Sequence, residues 1–277
     1  MLYNQIIIIK VEVFLLTVKD ELLFPEERKQ KILDLIEKNE KVTVLELSNL
    51  LNVSGSTIRT YLRQLERAGL LRRTHGGAMA NSKASYELAP EDKQIKYLEE
   101  KRAIAKIALS YIEDGDTIIL DTGTTNFELV NLLKSKKNLT ILTNDILIAN
   151  RLENYNDINV IMIGGILKKR FHCTTGNLGL NMIENMVVDK AFMATNSLSM
   201  RRGASTPDIT LAEIKRSMVS ISDKVILLCD SSKLGRNSFI SFADIEDINT
   251  LITDSGIQEK CKKQFESLGL EVVIATK

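Results

Sequence analysis

Cysteine, histidine and net charge are all scarce in this chain of 277 residues, and each scarcity argues against one class of protein. The three cysteines, Cys173, Cys229 and Cys261, lie far apart and show no CxxC spacing. That is typical of reduced cytosolic thiols and not of a disulfide framework or a zinc site. The two histidines, His75 and His172, are too few for a histidine-rich metal centre. We therefore expect a cytoplasmic protein with no metal site and no cofactor.

Long apolar runs are also missing. The first residues, MLYNQIIIIKVEVFLLTV, are interrupted by Lys10 and Glu12 and are too short to cross a bilayer. No basic segment precedes them and no small-residue cleavage site follows, so neither membrane contact nor a signal peptide is predicted. Residues 1–24 have two open interpretations, an extra strand packed on the body or an extension from a start codon placed too far upstream. The second is favoured, because clear helical signals begin only at Phe24.

The formal net charge is +1, so an affinity for nucleic acid requires a local concentration of positive charge. The stretch from Ser54 to Gly77 has one, since Glu66 is its only acidic residue. Its positive charges are all arginines: Arg59, Arg63, Arg67, Arg72 and Arg73. A charge run is most often a solvated, salt-bridged helix face. DNA binding is favoured here because arginine replaces lysine throughout and acidic residues are nearly absent.

Helical signals around this stretch predict a helix-turn-helix. Pro25 suits the first position of a helix that ends at Asn39, with an apolar face of Ile32, Leu33, Leu35 and Ile36. Thr43 caps a second helix with Glu46 as its capping-box partner, and its expected core side is Leu45, Leu47, Leu50 and Leu51. A third helix is predicted over about residues 55–68, with Gly69 as a left-handed cap and an inner face of Ile58, Leu62 and Leu65.

The outer face of the third helix and the segment after it carry the residues predicted to contact DNA. Residues 70–74 suggest a strand, 75–77 a turn and 78–79 a return strand, which together form a wing. Such a helix lies in the major groove, and a wing brings further arginines to the phosphate backbone. The predicted contacts with double-stranded operator DNA are Ser54, Ser56, Thr57, Arg59, Thr60, Arg63, Arg67, Arg72, Arg73 and His75.

A polar linker, residues 81–95, is predicted to separate a winged domain, residues 25–80, from a second domain, residues 96–277. From Glu91 a single helix is expected to continue to Ile112. The charged residues 99–102, EEKR, are expected to form its solvated face.

In the second domain, strands and helices alternate. Short runs rich in valine, isoleucine and leucine fall at residues 117–121, 139–143, 158–165, 190–195, 224–229, 250–254 and 271–275. Helical segments lie between them, near 127–133, from 145, and near 208–221 and 257–267. This alternation predicts an α/β fold with a mostly parallel sheet covered on both faces. Ligands on such sheets bind at the carboxyl ends of the strands.

Small, hydroxyl-bearing and basic residues follow several of these strands. Residues 121–125, DTGTT, open into a helix and offer hydroxyls to an anion, but they form neither a P-loop nor a dinucleotide fingerprint. Residues 143–145, 164–165, 168–170 and 174–176 follow later strands with similar chemistry. Their convergence at one edge of the sheet favours an anionic ligand.

The motifs VSGSTIRTYL, LERAGLL and RRTHGGA resemble the N-terminal signature of the DeoR-type transcriptional regulators. One departure is Thr60-Tyr61, where the family usually has Arg-Asp, so an operator sequence is not transferable from relatives. The ordered motifs LDTGTT, TN, GG, TG, DKAF, STPD, an E-x-K pair and DSSK, within residues 101–255, are similar to the effector domain of that family.

That resemblance implies a winged helix-turn-helix followed by a Rossmann-like domain similar to ribose-5-phosphate isomerase. It implies a phosphorylated sugar as effector, a homo-oligomer (a dimer or tetramer) and repression of a carbohydrate-utilisation operon. The residues that it implies around the effector are Asp121, Gly123, Thr124, Thr125, Asn144, Gly165, Lys168, Thr175, Gly176, Glu213, Lys215 and Lys233.

The related isomerase needs acidic residues after the strand that here ends in FMATN, but the matching positions are Met193 and Asn196. Glu213 matches that enzyme's general base, yet proton transfer along a sugar also needs the supporting acids. We therefore predict no catalytic residue. Two alternatives stay open, a sugar-phosphate isomerase or deaminase with a DNA-binding appendage, and a constitutive DNA-binding protein with a vestigial sensor pocket.

Overall fold

The computed structural model describes residues 23–39, 41–67, 70–80 and 90–276, which fall into two compact units. We call residues 23–80 the winged unit and residues 90–276 the sheet unit. The sequence predictions for residues 1–22, for Gly69 and for the loop 81–89 lie outside the described residues. No helix among the described residues is both long enough and apolar enough to cross a membrane.

The winged unit has three helices and a small antiparallel sheet. The helices are α1 (Pro25–Asn39), α2 (Val44–Leu51) and α3 (Gly55–Arg67). The strands are β1 (Lys41–Thr43), β2 (Leu71–Thr74) and β3 (Gly77–Ala80), in the order β1-β3-β2. The predicted helices and the wing are confirmed. Strand β1 was not expected, because a segment of three residues carries almost no periodic signal.

Two adjacent glycines explain how the wing closes on β1. Gly76 has a backbone φ of 109°, which residues other than glycine rarely adopt. Its carbonyl accepts a 2.8 Å hydrogen bond from the Val44 N–H. A Cβ atom on Gly77 would overlap the carbonyl oxygen of Val42. The diglycine therefore serves both the turn and the close approach of two strands.

The capping box of α2 is present as predicted. The Thr43 side chain accepts from the Glu46 N–H at 3.2 Å, and the Glu46 carboxylate accepts from the Thr43 N–H at 2.7 Å. The predicted core side is wrong at two positions, since Leu45 is 71% and Leu50 is 53% exposed. The core face of α2 instead comprises Val44, Leu47 and Leu51. These three lie within about 60° of one another at 100° per residue, and Leu45 and Leu50 fall outside that arc.

The sheet unit is built on seven strands that all pair in parallel. In chain order they are β4 (Thr117–Leu120), β5 (Leu139–Thr143), β6 (Ile158–Met162), β9 (Val188–Ala194), β12 (Ser222–Leu228), β14 (Thr250–Asp254) and β15 (Glu271–Ala275). Their spatial order is β15-β14-β12-β9-β4-β5-β6. The predicted α/β fold and all seven predicted strands are confirmed.

Helices cover both faces of this sheet. On one face lie α5 (Leu98–Leu109), α6 (Thr124–Val130) and α7 (Ile146–Leu152). On the other lie α8 (Asn177–Ile183), α9 (Ile209–Ser220) and α10 (Glu259–Ser267). Successive strand residues alternate between the two apolar layers: Ile118 and Leu120 face the first and Ile119 the second. This alternation gives a three-layer architecture.

Shorter elements, which sequence periodicity did not show, decorate the sheet. Strands β7 (Ile166–Lys168) and β8 (Cys173–Thr175) form a hairpin. Strands β10 (Ser197–Ser199), β11 (Gly203–Thr206) and β13 (Ile240–Ala243) form a separate antiparallel sheet.

The predicted single helix from Glu91 to Ile112 is wrong. A short helix α4 (Pro90–Ile95) is separated from α5 by Lys96 and Tyr97, and Tyr97 has a left-handed φ of 55°. The predicted solvated face at residues 99–102 is also wrong at one position, because Lys101 is only 3% exposed.

Candidate functional site

Helix α3 presents a polar front and an apolar back. Its buried face comprises Ile58, Tyr61, Leu62 and Leu65, which extends the predicted inner face by one tyrosine. The Ser54 hydroxyl accepts a 3.2 Å hydrogen bond from the Thr57 N–H and so caps the helix start. The predicted contact residues on the opposite side are exposed, apart from the half-buried Thr57: Ser54, Ser56, Arg59, Thr60, Arg63 and Arg67.

The arginines of this front are not neutralised within the described part of the chain. Arg63 Nε donates to the Arg59 carbonyl at 3.4 Å, and no described carboxylate forms an ion pair with Arg59, Arg63 or Arg67. A salt-bridged helix face would show such pairs. The front therefore keeps its positive charge for a partner.

The predicted wing residues lie on β2 and in the turn after it. Arg72 Nη2 lies 3.0 Å from the Met79 sulfur across the hairpin. The Glu66 carboxylate accepts from the Arg73 N–H at 2.9 Å and lies 3.8 Å from the Arg73 guanidinium. Glu66, the one acid of the stretch, thus ties the wing to α3. His75 is exposed at the turn.

In the sheet unit, a buried ion pair occupies the carboxyl end of β4. The Asp121 carboxylate accepts hydrogen bonds from the Lys215 ammonium and, at 2.9 Å, from the Ala194 N–H. Lys215 also donates to the Ala194 carbonyl at 3.0 Å and lies 5.2 Å from the Phe242 ring centre. Burial raises the pKa of the Asp121 carboxyl, and the Lys215 ammonium acts in the opposite direction. The structure thus brings together two predicted effector residues, and each is the other's partner.

Sequence reasoning did not assign roles to two neighbours of this pair. Asn126, fully buried in α6, donates to the carbonyls of Asp121 at 2.8 Å and Phe192 at 2.9 Å and so joins the ends of β4 and β9. Asp145 accepts from the Thr122 hydroxyl at 2.7 Å and caps α7 through the Leu147 N–H at 2.8 Å. A cap signal points to Asp145 in the sequence, but nothing in the sequence marks Asn126.

A second group of predicted residues lies between β5 and the β7–β8 hairpin. Asn144 Nδ2 donates to the Thr174 carbonyl at 3.0 Å, and the Thr174 N–H donates to the Asn144 carbonyl at 2.9 Å. Gly165 has a φ of 137°, and a Cβ atom there would overlap the carbonyl oxygen of Thr175. Gly176 directly precedes α8. The Asn144 Oδ1 atom is buried without a hydrogen-bond partner among the described residues.

The remaining predicted cations are partly exposed. Lys168 contacts Asp208, the cap of α9, and lies 3.2 Å from the Thr210 hydroxyl. Although burial acts in the opposite direction, hydrogen bonds from Lys168 and Thr210 lower the pKa of Asp208. Lys233 lies 3.1 Å from the Asp230 carboxylate, just beyond β12. Glu213, on α9, is partly exposed and forms no ion pair with a described residue.

Exposure divides the predicted effector residues into two sets. Buried residues form the deeper set: Asp121, Thr125, Asn144, Thr175 and Lys215. Partly or fully exposed residues form the outer set: Gly123, Thr124, Gly165, Lys168, Gly176, Glu213 and Lys233. The outer set is accessible from solvent. The deeper set shapes the edge of the sheet.

The turn at residues 193–196, MATN, contains no carboxylate. Met193 is buried in the apolar layer, and the Thr195 hydroxyl donates to the carbonyls of Ser197 at 2.7 Å and Ser205 at 3.1 Å. The Thr195 hydroxyl therefore supports the turn that leads into the small sheet.

Known protein families match the sequence of each unit. A DeoR-like helix-turn-helix domain matches residues 28–84, and a DeoR C terminal sensor domain matches residues 96–255. The HTH-type transcriptional regulator GolR of Listeria innocua is 38% identical over 91% of this chain and 100% of its own length. A putative aga operon transcriptional repressor of Escherichia coli O157:H7 is 31% identical over 90% of this chain and 93% of its own length.

Among solved structures, ribose 5-phosphate isomerase from Plasmodium falciparum is similar to half of the chain. The similarity covers 50% of this chain and 53% of that one, with 22% sequence identity and a TM-score of 0.37. The architecture itself rests on the strand order and the layers described above. Both matched domains and both regulators lead to one conclusion: the chain belongs to the DeoR family of DNA-binding transcription regulators.

Proposed function

We propose that this regulator represses a carbohydrate-utilisation operon, and that a phosphorylated sugar bound at the carboxyl edge of its seven-stranded sheet relieves the repression. The polar front of α3 supports the DNA half of the proposal most directly. It exposes arginines and hydroxyls on an apolar, well-buried back, and its arginines have no described carboxylate as a partner. Arginine pairs with guanine, and hydroxyls contact base edges or phosphates in the major groove.

In this proposal α3 reads bases and the wing holds the phosphate backbone. Arg59, Thr60 and Arg63 project from the helix front, whereas Arg72 and His75 lie on the wing. We further propose a homo-oligomer, a dimer or tetramer formed through the sheet unit, which presents two copies of α3. Half-sites would then lie about 34 Å apart, or a multiple of that distance.

The DNA half is tested with full-length protein and an operator selected from a random-sequence DNA library. We expect Arg59→Ala to weaken binding by about 1–3 kcal/mol and to relax the preference at one base position. Arg72→Ala should weaken all sequences alike and lower the salt slope by about one. Lys29→Ala, which removes a positive charge on α1 that is paired with Glu26, is the matched control and should have little effect. Unchanged operator affinity in Arg59→Ala would refute the recognition-helix assignment.

The effector half rests on the outer set of residues. Lys168 and Lys233 supply positive charge and Thr124 a hydroxyl at one edge of the sheet, as recognition of a phosphorylated sugar requires. The putative repressor among the relatives is named for an operon, which agrees with a repressing role.

Thermal unfolding of the full-length protein tests this half. The panel pairs pentose, hexose and ketohexose phosphates with their unphosphorylated sugars. A ligand at about 100 times its dissociation constant adds about 2.7 kcal/mol of stability, so a true effector raises the midpoint clearly. One phosphorylated sugar that raises the midpoint while its free sugar is silent supports the proposal. A flat panel contradicts it.

We propose that the protein has no isomerase activity of its own. The turn at residues 193–196 supplies no carboxylate, and its threonine hydroxyl is committed to backbone carbonyls. Sugar-phosphate isomerisation that depends on Glu213 would overturn this point. Turnover by the unaltered chain and its loss in Glu213→Ala would be the decisive pair of measurements.

A further inference from the structure

One buried lysine closes the break between α4 and α5. The Lys101 ammonium donates to the carbonyl of Lys93 and, at 2.6 Å, to the carbonyl of Lys96. These carbonyls belong to the last turn of α4 and the break after it, where a helix has no partners of its own for its C=O groups. An ammonium group is also favoured at the negative end of a helix. Lys101 therefore acts from α5 as the cap of the preceding helix.

Burial of this ammonium indicates a specific role. A surface lysine keeps its charge in water, whereas Lys101 is almost wholly buried in a run of four charged residues. Burial lowers the pKa of Lys101 to about 8, with Lys233 acting in the same direction and Asp230 in the opposite one. Lys93 and Glu128 exert smaller effects. The charges that reach Lys101 thus include the Asp230–Lys233 pair of the proposed effector edge.

Helix α4 lies beside the same edge. It contacts α6, which begins immediately after Gly123 and carries Thr124 and Thr125. Asp230 follows β12, the second neighbour of β4 in the sheet. The Lys101 side chain consequently has α4 as its present hydrogen-bond partner, and Lys233, one member of the outer set, is among the charges that act on it.

We propose that the end of α4 and the phosphoryl group of the effector compete for the Lys101 ammonium. The inference rests on the proposed function and adds a residue and a mechanism through which the effector relieves the repression. Without an anion, Lys101 caps α4 and holds the segment that leads from the winged unit. A phosphoryl group beside Lys233 offers ionised acceptors, which attract an ammonium through a full negative charge, whereas a carbonyl attracts it only through a dipole. When the Lys101 ammonium turns toward that group, α4 loses its cap. Effector binding then loosens α4 and the break after it, and operator binding becomes weaker.

Linkage makes the competition reciprocal. If the anion disfavours the capped form of α4, then whatever stabilises that form weakens anion binding by the same factor. Operator DNA and phosphate should therefore each lower the affinity of the protein for the other.

Hydrogen exchange on the full-length protein, with inorganic phosphate as the probe and chloride at equal ionic strength as the reference, tests the competition. We expect phosphate to raise amide exchange at residues 90–97 several-fold in the unaltered chain. Lys101→Met should show raised exchange there without phosphate, no further response to it, and a reduced operator affinity. Lys106→Met, on the exposed side of α5, is the matched control and should behave as the unaltered chain.

The outcomes separate the inference from the function on which it rests. A thermal midpoint that rises with phosphate, together with unchanged or slower exchange at residues 90–97, overturns the competition and leaves the effector site standing. A midpoint that responds neither to phosphate nor to any sugar phosphate refutes the effector site, and the competition with it. The first comparison uses the unaltered chain, so it does not depend on how the variants fold.

Discussion

The two units handle charge in opposite ways. In the winged unit the arginines of α3 are exposed, and the described residues offer them no carboxylate partner. At the sheet edge, by contrast, Asp121 is fully buried, and its partner Lys215 is nearly so. An exposed, unpaired charge can interact with another molecule, so its removal should weaken binding of that molecule. A buried charge already has its partner inside, and its loss should affect folding first.

The largest effect should come from breaking the buried pair. Lys215→Met leaves the Asp121 carboxylate buried without its ammonium partner. Removing one member of a buried pair costs about 3–5 kcal/mol, because the other charge stays uncompensated. We expect the free energy of unfolding, measured in urea, to fall by that amount.

Two further variants sharpen the comparison. Asp121→Asn combined with Lys215→Met removes both charges and should be less destabilising than Lys215→Met alone. Lys168→Met breaks the partly exposed pair with Asp208 and should cost less than about 1 kcal/mol. Equal costs for Lys168→Met and Lys215→Met would show that burial does not distinguish the two pairs.

A pH titration should reveal the second buried charge, Lys101. Its pKa of about 8 in the folded protein compares with an ordinary value of 10.5. Between these values the unfolded chain binds more protons than the folded one, so stability rises with pH. We therefore expect the free energy of unfolding of the unaltered chain, relative to that of Lys101→Met, to rise by about 3 kcal/mol as the pH rises from about 8 to about 10.5. A difference that stays flat or falls across this range contradicts the burial of a charged Lys101.

The winged unit should be sensitive to backbone shape where the sheet unit is sensitive to charge. Gly77→Ala places a methyl group against the Val42 carbonyl and should lower the free energy of unfolding by about 1–3 kcal/mol. Gly76→Ala is the matched control, since a Cβ atom there meets nothing within 4 Å and only the positive φ is strained. A larger loss in Gly76→Ala would mean that the turn conformation, and not the approach of β1, limits this position.

The same division explains what the sequence could and could not predict. The capping box at Thr43 and the inner face of α3 depend on residues three or four apart, so local patterns revealed them. The parallel strands were found because buried strands form continuous apolar runs. Local signals of this kind dominate the winged unit and the strands of the sheet.

The contacts at the sheet edge are of the other kind. Asp121 and Lys215 are 94 positions apart, and the resemblance to the family predicted an effector role for each without showing that they bind each other. Lys101 lies in a run of charges that local patterning assigns to solvent, yet it is buried and donates to the Lys96 carbonyl in the break after α4. Asn126 has no signal of its own in the sequence. The partners of these residues lie from five to 94 positions away, at spacings that helix and strand periodicity does not mark.

The smallest change in stability is expected on the outer face of α2, where the sequence pattern wrongly predicted core residues. Leu45 and Leu47 are two positions apart, yet Leu47 is 1% exposed and Leu45 is 71% exposed. The same change at both sites therefore separates core from surface. Leu47→Ala should cost about 2–5 kcal/mol of unfolding free energy, whereas Leu45→Ala should stay within about 0.5 kcal/mol. If Leu45→Ala proved as costly as Leu47→Ala, the outer face of α2 would have to be covered. We would then have to give up the contrast between the two units, in which the winged unit exposes residues to a partner and the sheet unit pairs its charged groups internally.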